Sequence, residues 1–255
     1  MDLSFLSVPG ADALTIALLA LASFCTACMG MLTGAGGGPI LLALMALVLP
    51  PSLLLPVHTV VQLGVSVTRI VLLRSFIMWT TLLPFVIGGA IGAAAGAPIF
   101  VSLPGPVLLA FIGAFVLLVA WVPSFGMIGP EKGRFTFVGF IATFLGMFVS
   151  STGLLIAPFV AHIAPERRNY AATVAVLGMS MHIIKLTAFG FMGFAIGAYL
   201  PLMIAMVATA FLGNFVGRHI LSRMPEQFFR IFLKALLTLL ALRLLWVSAR
   251  DLGLF

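Results

Sequence analysis

Charge is what this chain has least of. Only 7% of its 255 residues are Asp, Glu, Lys or Arg, against about 25% in a soluble domain. With 63% hydrophobic residues and a mean hydropathy of +1.29, a soluble globular fold is excluded. Carboxylates are scarcer still. Asp2, Asp12, Glu131, Glu166, Glu226 and Asp251 all fall at the ends of apolar runs or in loops. Sodium sites and carboxylate proton relays need one deep in the membrane, so cation transport loses ground. An intramembrane enzyme acting on lipid phosphates loses its acid–base partner by the same count. The two cysteines, Cys25 and Cys28, are too few for a metal site alone and lack the soluble setting of a redox motif. They read as small packing residues, and neither a metal nor another cofactor is expected. No G-x-x-x-x-G-K-[ST] sequence occurs, so this chain does not itself hydrolyse ATP through that loop. No Lys or Arg precedes the first apolar run, which therefore reads as a retained span and not a signal peptide.

What is there is a series of apolar runs that stop at Gly, Pro or charge. They cover Ala11–Thr33, Pro39–Leu49, Val57–Leu73, Phe76–Phe100, Val107–Val122, Phe135–Val149, Leu154–Ala164, Tyr170–Met192, Ile196–Val216 and Phe228–Val247. The pattern predicts an all-α polytopic membrane protein of about ten transmembrane segments. Two runs, Pro39–Leu49 and Leu154–Ala164, fall well short of the roughly 20 residues a full span needs. The first follows Gly34-Ala35-Gly36-Gly37-Gly38, a stretch whose bare backbone is tolerated in hydrocarbon only inside protein or beside a polar cavity. Pro39 suits the first turn of a new helix. The stretch predicts a helix that stops inside the membrane and a short one that starts there, with free N–H donors and a partial positive charge that attract anions. Close helix packing at small residues is the alternative reading.

The chain also repeats itself. Thr59-Val60-Val61-Gln62-Leu63-Gly64-Val65-Ser66 aligns with Thr173-Val174-Ala175-Val176-Leu177-Gly178-Met179-Ser180, and Gly92-x-x-x-Gly96 with Gly213-x-x-x-Gly217. Gly30-Met31 aligns with Gly146-Met147, which sets the glycine stretch against Ser150-Ser151-Thr152-Gly153. Three pairings in one order indicate a duplication. The expected halves are 1–123 and 135–255, joined by a cytoplasmic linker at 124–134. Five segments per half is an odd number, so the halves are expected to be inverted repeats, each with a broken helix and a short half-span. That pattern belongs to transporters that bind near the midplane. Ten crossings also gather Arg74, Lys132, Arg134, Arg167, Arg168, Arg218 and Arg223 on one side, which the positive-inside rule makes the cytoplasm. Both termini are then outside. The net charge of +7 is thus a topology signal, and the expected macromolecular environment is a lipid bilayer and no nucleic acid.

Polar groups inside the runs are few enough to name. His58, Gln62, Ser66 and Arg69 share one helix face that can point into a polar cavity, although Arg69 could instead snorkel to the cytoplasmic surface. His182 and Lys185 share a face of a later run, and Lys185 sits deeper than a snorkelling lysine should. Ser150, Ser151 and Thr152 can cap the second short helix and offer hydroxyls inward. The candidate anion site therefore comprises Gly36, Gly37 and Gly38, Gln62, Ser66 and Arg69, Ser150, Ser151, Thr152 and Gly153, with His182 and Lys185. Glycines 88, 92, 96, 213 and 217 read as helix-packing positions.

The Gly34-Ala-Gly-Gly-Gly-Pro-Ile stretch with its apolar continuation, the duplicated architecture and the Gly92-x-x-x-Gly96 helix resemble the TauE/SafE family of sulfite exporters and sulfonate permeases. The second half departs from that pattern, with Ser150-Ser151-Thr152-Gly153 in place of a glycine cluster. The resemblance implies secondary transport of a small anion such as sulfite, a sulfonate or a related organosulfur anion, in the plasma (bacterial inner) membrane. A passive anion channel shares every feature above. A homo-oligomer and a proton as coupling ion are both compatible with the sequence.

Overall fold

The computed structural model describes residues 12–33, 37–121, 133–150, 153–194, 196–220 and 226–254. Gly36, Ser151, Thr152, Lys132, Arg223 and most of the 124–134 linker lie outside the described residues.

Among those described, the chain forms ten α-helices and no strand. They are α1 Ala13–Thr33, α2 Gly37–Met45, α3 Pro51–Leu73, α4 Leu82–Ser102, α5 Gly105–Trp121, α6 Arg134–Val149, α7 Gly153–Ile163, α8 Arg167–Phe191, α9 Leu200–Ile220 and α10 Glu226–Asp251. The starts have local causes. Asp12 caps α1, its Oδ1 accepting the Thr15 N–H at 2.8 Å. Those bonds hold the exposed Asp12 carboxyl below its ordinary pKa. Pro51 opens α3 as its first helical residue, where the missing N–H satisfies nothing. The helix therefore begins six residues before the expected Val57 and carries Pro56 inside it. The apolar run Phe76–Phe100 is likewise interrupted. Short 3-10 turns at Arg74–Phe76 and Trp79–Thr81 precede α4, as one at Ile196–Tyr199 precedes α9.

Among the described residues, five segments are long and apolar enough to cross a bilayer: Ala13–Gly30, Pro51–Val71, Trp79–Ser102, Arg168–Phe191 and Gly197–Gly217. Gly105–Leu118 and Arg134–Val149 are shorter apolar helices. The chain is therefore a multi-pass membrane protein. α2 has 9 residues and α7 has 11. At about 1.5 Å per residue each spans roughly half of the ~30 Å hydrocarbon core.

Glycine sets the closest contacts. A Cβ at Gly88 would fall on the Thr136 carbonyl, one at Gly92 on the Phe140 carbonyl, and one at Gly139 on the Phe85 carbonyl, so α4 and α6 touch backbone to backbone. On α9, a Cβ at Gly213 would meet the Phe24 carbonyl and one at Gly217 would meet the Cys28 carbonyl at 2.7 Å. Cys28 itself sits at this seam, its Sγ donating to the Gly213 carbonyl at 3.0 Å, whereas Cys25 is exposed. Both seams pair residues in increasing order, so α4 runs parallel to α6 and α9 parallel to α1. α3 and α8 run antiparallel, since Gly178 faces Ser66 and Asn169 donates to the Phe76 carbonyl just past the end of α3. α5 and α10 are antiparallel as well, tied by Ser248 to the Pro106 carbonyl and Trp121 to Thr238. The half-helices lie innermost. Every residue from Gly37 to Ala43 is buried, and Ile156 and Val160 of α7 are fully buried.

Candidate functional site

The α2 N-terminus reaches the interior because of Gly37. A Cβ there would fall on the Thr26 carbonyl, with Gly30 Cα at 3.0 Å, so only glycine lets α2 start this close to α1. The second half reaches the interior differently. α6 ends at Ser150, whose N–H donates to the Gly146 carbonyl at 3.0 Å. Ser150 has φ +52°, alone among the described non-glycine residues in having positive φ. α7 then begins at Gly153.

The turn aims a fully buried hydroxyl at four groups. Lys185 Nζ donates to Ser150 Oγ at 3.0 Å. His58 Nδ1 lies at 3.1 Å, Thr59 Oγ1 at 2.9 Å and the Leu55 carbonyl at 3.4 Å. The other ring nitrogen of His58, Nε2, is 3.0 Å from the Gly38 carbonyl. A carbonyl only accepts, so Nε2 carries a proton, and in the neutral ring Nδ1 accepts the Ser150 hydroxyl. Thr59 spends its own proton on the Leu55 carbonyl at 2.7 Å. A continuous chain therefore runs from Lys185 through Ser150 and His58 to Gly38, the second residue of α2. Lys185 is fully buried, and no carboxylate pairs with it among the described residues.

Beside this chain lies a cavity of about 70 Å³. Gly37 and Gly38 of α2 and Gly153 of α7 line it, so both half-helix N-termini open onto one space. From α3 come Gln62, Ser66 and Arg69, and from α8 His182, with Val174, Ala175, Gly178 and Met181 beside it. Ser23 and Thr26 of α1 also reach it. Their hydroxyl protons go to the Met206 and Ala22 carbonyls, each at 2.7 Å. Arg69 Nη2 donates to the carbonyl of Gly30, another cavity-lining residue, at 2.9 Å. His182 is buried, and its Nδ1 has no hydrogen-bond partner among the described residues. A polar atom left in that state costs about 1–3 kcal/mol, and it belongs to a residue that lines the cavity.

Of the candidate residues, Gly37, Gly38, Gln62, Ser66, Arg69, Gly153 and His182 thus share one cavity. Ser150 and Lys185 lie behind its wall, joined to each other and not lining it. His58 was expected on the stripe with Gln62, Ser66 and Arg69. Helical spacing keeps it on that face, but α3 starts at Pro51, so His58 lies two turns inside the helix, where its ring meets Ser150 and Gly38 and does not line the cavity. Proline at the first helical position was the signal that places it there. Thr59 is the other partner that the sequence pattern left out of the site.

The chain is thus a multi-pass helical protein in which two short helices begin beside one cavity. The family model described as sulfite exporter TauE/SafE matches residues 19–244, which is most of the chain, and the chain belongs to that family. No curated protein matches it, and no solved structure does.

Proposed function

We propose that the chain is a secondary transporter of one small oxyanion, of the sulfite or small organosulfur class, working by alternating access about this cavity. The observation that carries the reading is the cavity's polarity. It joins two half-helix N-termini, Arg69 and His182, and no carboxylate lines it among the described residues. Each N-terminus contributes about half a positive charge, so every fixed charge at the wall favours an anion. The volume supports a small one. At about 10–15 Å³ of such volume per water, the cavity holds about five water-sized positions, enough for a single oxyanion with a little water. Bulky aromatic sulfonates do not fit without rearrangement.

Ten crossings, inverted halves and external termini form part of the same reading. Exchanging the halves exchanges the α4–α6 seam with the α9–α1 seam, and a 3-10 turn precedes the fourth helix of each half. The antiparallel course of α3 and α8 supports ten crossings. Eight crossings with re-entrant short segments would make those two helices parallel. α2 leads into the start of α3, and α7 into the start of α8, so the two half-helices run from the cavity toward opposite faces. The bacterial inner membrane is the location this reading assigns.

Reconstitution in liposomes tests it, with uptake of sulfite, taurine, sulfoacetate, sulfate and chloride under defined proton and voltage gradients. Sulfite uptake that exceeds chloride uptake and shows counterflow is the expected outcome. Equal, non-saturating flux of all five, without counterflow, points to a passive channel instead.

A further inference from the structure

Lys185 is buried and one turn from His182, yet it does not line the cavity. Its Nζ ends on Ser150 at 3.0 Å, and Ser150 ends on His58, which ends on the Gly38 carbonyl. Lys185 and Ser150 belong to the second half of the chain, and His58 and Gly38 to the first. The Ser150 hydroxyl is therefore a point where the halves are joined, and the hydrogen-bonded chain ends on Gly38, which lines the cavity, while Ser150 lies three residues before cavity-lining Gly153.

We propose that Ser150 and His58 are positioning residues for the anion cavity, and that Lys185 acts on the anion only through them. In this arrangement the ammonium orients the Ser150 hydroxyl, the hydroxyl orients the His58 ring, and the ring fixes the first turn of α2. The two half-helix N-termini are thereby held at one separation. The left-handed turn at Ser150 has its use here, since a right-handed continuation of α6 would carry the hydroxyl away from α3. An ordinary core residue at 150 would need neither the positive φ nor three side-chain partners. The inference rests on the reading of the cavity as an anion site. It makes the effects of the three residues on affinity interdependent, because each acts through the next.

The test is a double-mutant cycle on sulfite affinity, measured by calorimetry on the full-length protein in nanodiscs. The variants are Lys185→Met, Ser150→Gly, His58→Leu and the pairwise combinations. Glycine suits the left-handed turn, so Ser150→Gly removes the hydroxyl and keeps the backbone, and Ser150→Ala serves as a second variant if it does not fold. Each single variant is expected to weaken sulfite binding about tenfold, and each pair to be no weaker than its weaker member. Losses that multiply in the pairs, or single variants that bind as the wild type does, overturn the inference while leaving the anion site standing. Wild-type protein that binds no sulfite overturns the anion reading and this inference with it.

Discussion

Replacing Lys185 with Met removes one charge and one hydrogen bond at nearly constant volume, and the two effects oppose each other. A lysine at the centre of a membrane helix costs about 2.5–3.5 kcal/mol on the translocon scale, and that cost disappears in the variant. A hydrogen bond from a charged donor contributes about 1.5–3 kcal/mol, and the bond to Ser150 disappears too. Ser150 is not orphaned, because His58, Thr59 and the Leu55 carbonyl remain within reach. The difference lies between about −0.5 and +2 kcal/mol, so the anion-free variant should be as stable as the wild type or more so. Thermal unfolding in nanodiscs without added anion measures this. With saturating sulfite the wild type should gain about 1.4 kcal/mol more than a variant that binds tenfold more weakly, since a ligand stabilises only the state that binds it. A variant destabilised by more than about 2 kcal/mol without anion would mean that the ammonium has a structural counter-charge, and would refute the reasoning.

Other outcomes follow from the geometry. Gly92→Leu places its Cβ on the Phe140 carbonyl, which cannot move without shifting α6, and should destabilise by about 1–3 kcal/mol. Gly190→Ala on α8 meets nothing within 4 Å and should be neutral or stabilising by about 0.5–1 kcal/mol; a loss equal to that of Gly92→Leu in the same melts would remove close packing as the cause. Arg69→Gln leaves the Gly30 carbonyl without its guanidinium donor and should lower sulfite uptake at unchanged expression, whereas normal uptake would remove Arg69 from the site. Single cysteines at Arg74 and Arg168 should both resist a membrane-impermeant thiol reagent applied outside intact cells. Labelling at Arg74 alone would support eight crossings.

Much of this architecture is legible in the sequence where a helix boundary coincides with a change in hydropathy. α5, α6, α7 and α8 lie within a few residues of the runs read for them. Interruptions within apolar sequence are what hydropathy misses. Phe76-Ile77-Met78-Trp79 is apolar throughout, yet the chain turns there, the Met78 N–H finding Thr173 Oγ1 at 3.1 Å. Tertiary hydrogen bonding, invisible to a window average, satisfies that backbone. The cavity stripe was legible from helical spacing at Gln62, Ser66 and Arg69. The role of His58 was not, since it depends on the α2 backbone at Gly38 and on a left-handed serine elsewhere in the chain. Similarly, Lys185 read as a deep cation, but its direction is set by the turn at Ser150, which no pattern of spacing encodes.

Counterflow of labelled sulfite in proteoliposomes, for the wild type and for Gly178→Leu, tests the central claim most directly. Gly178 lines the cavity, and a Cβ added there would lie 3.7 Å from Ser66 Oγ, so a leucine side chain fills the space an anion needs. The expected result is a transient overshoot of labelled sulfite in wild-type vesicles and none with Gly178→Leu, at matched protein content and melting temperature. Equal overshoot in the two proteins would place the transport path elsewhere and contradict the account.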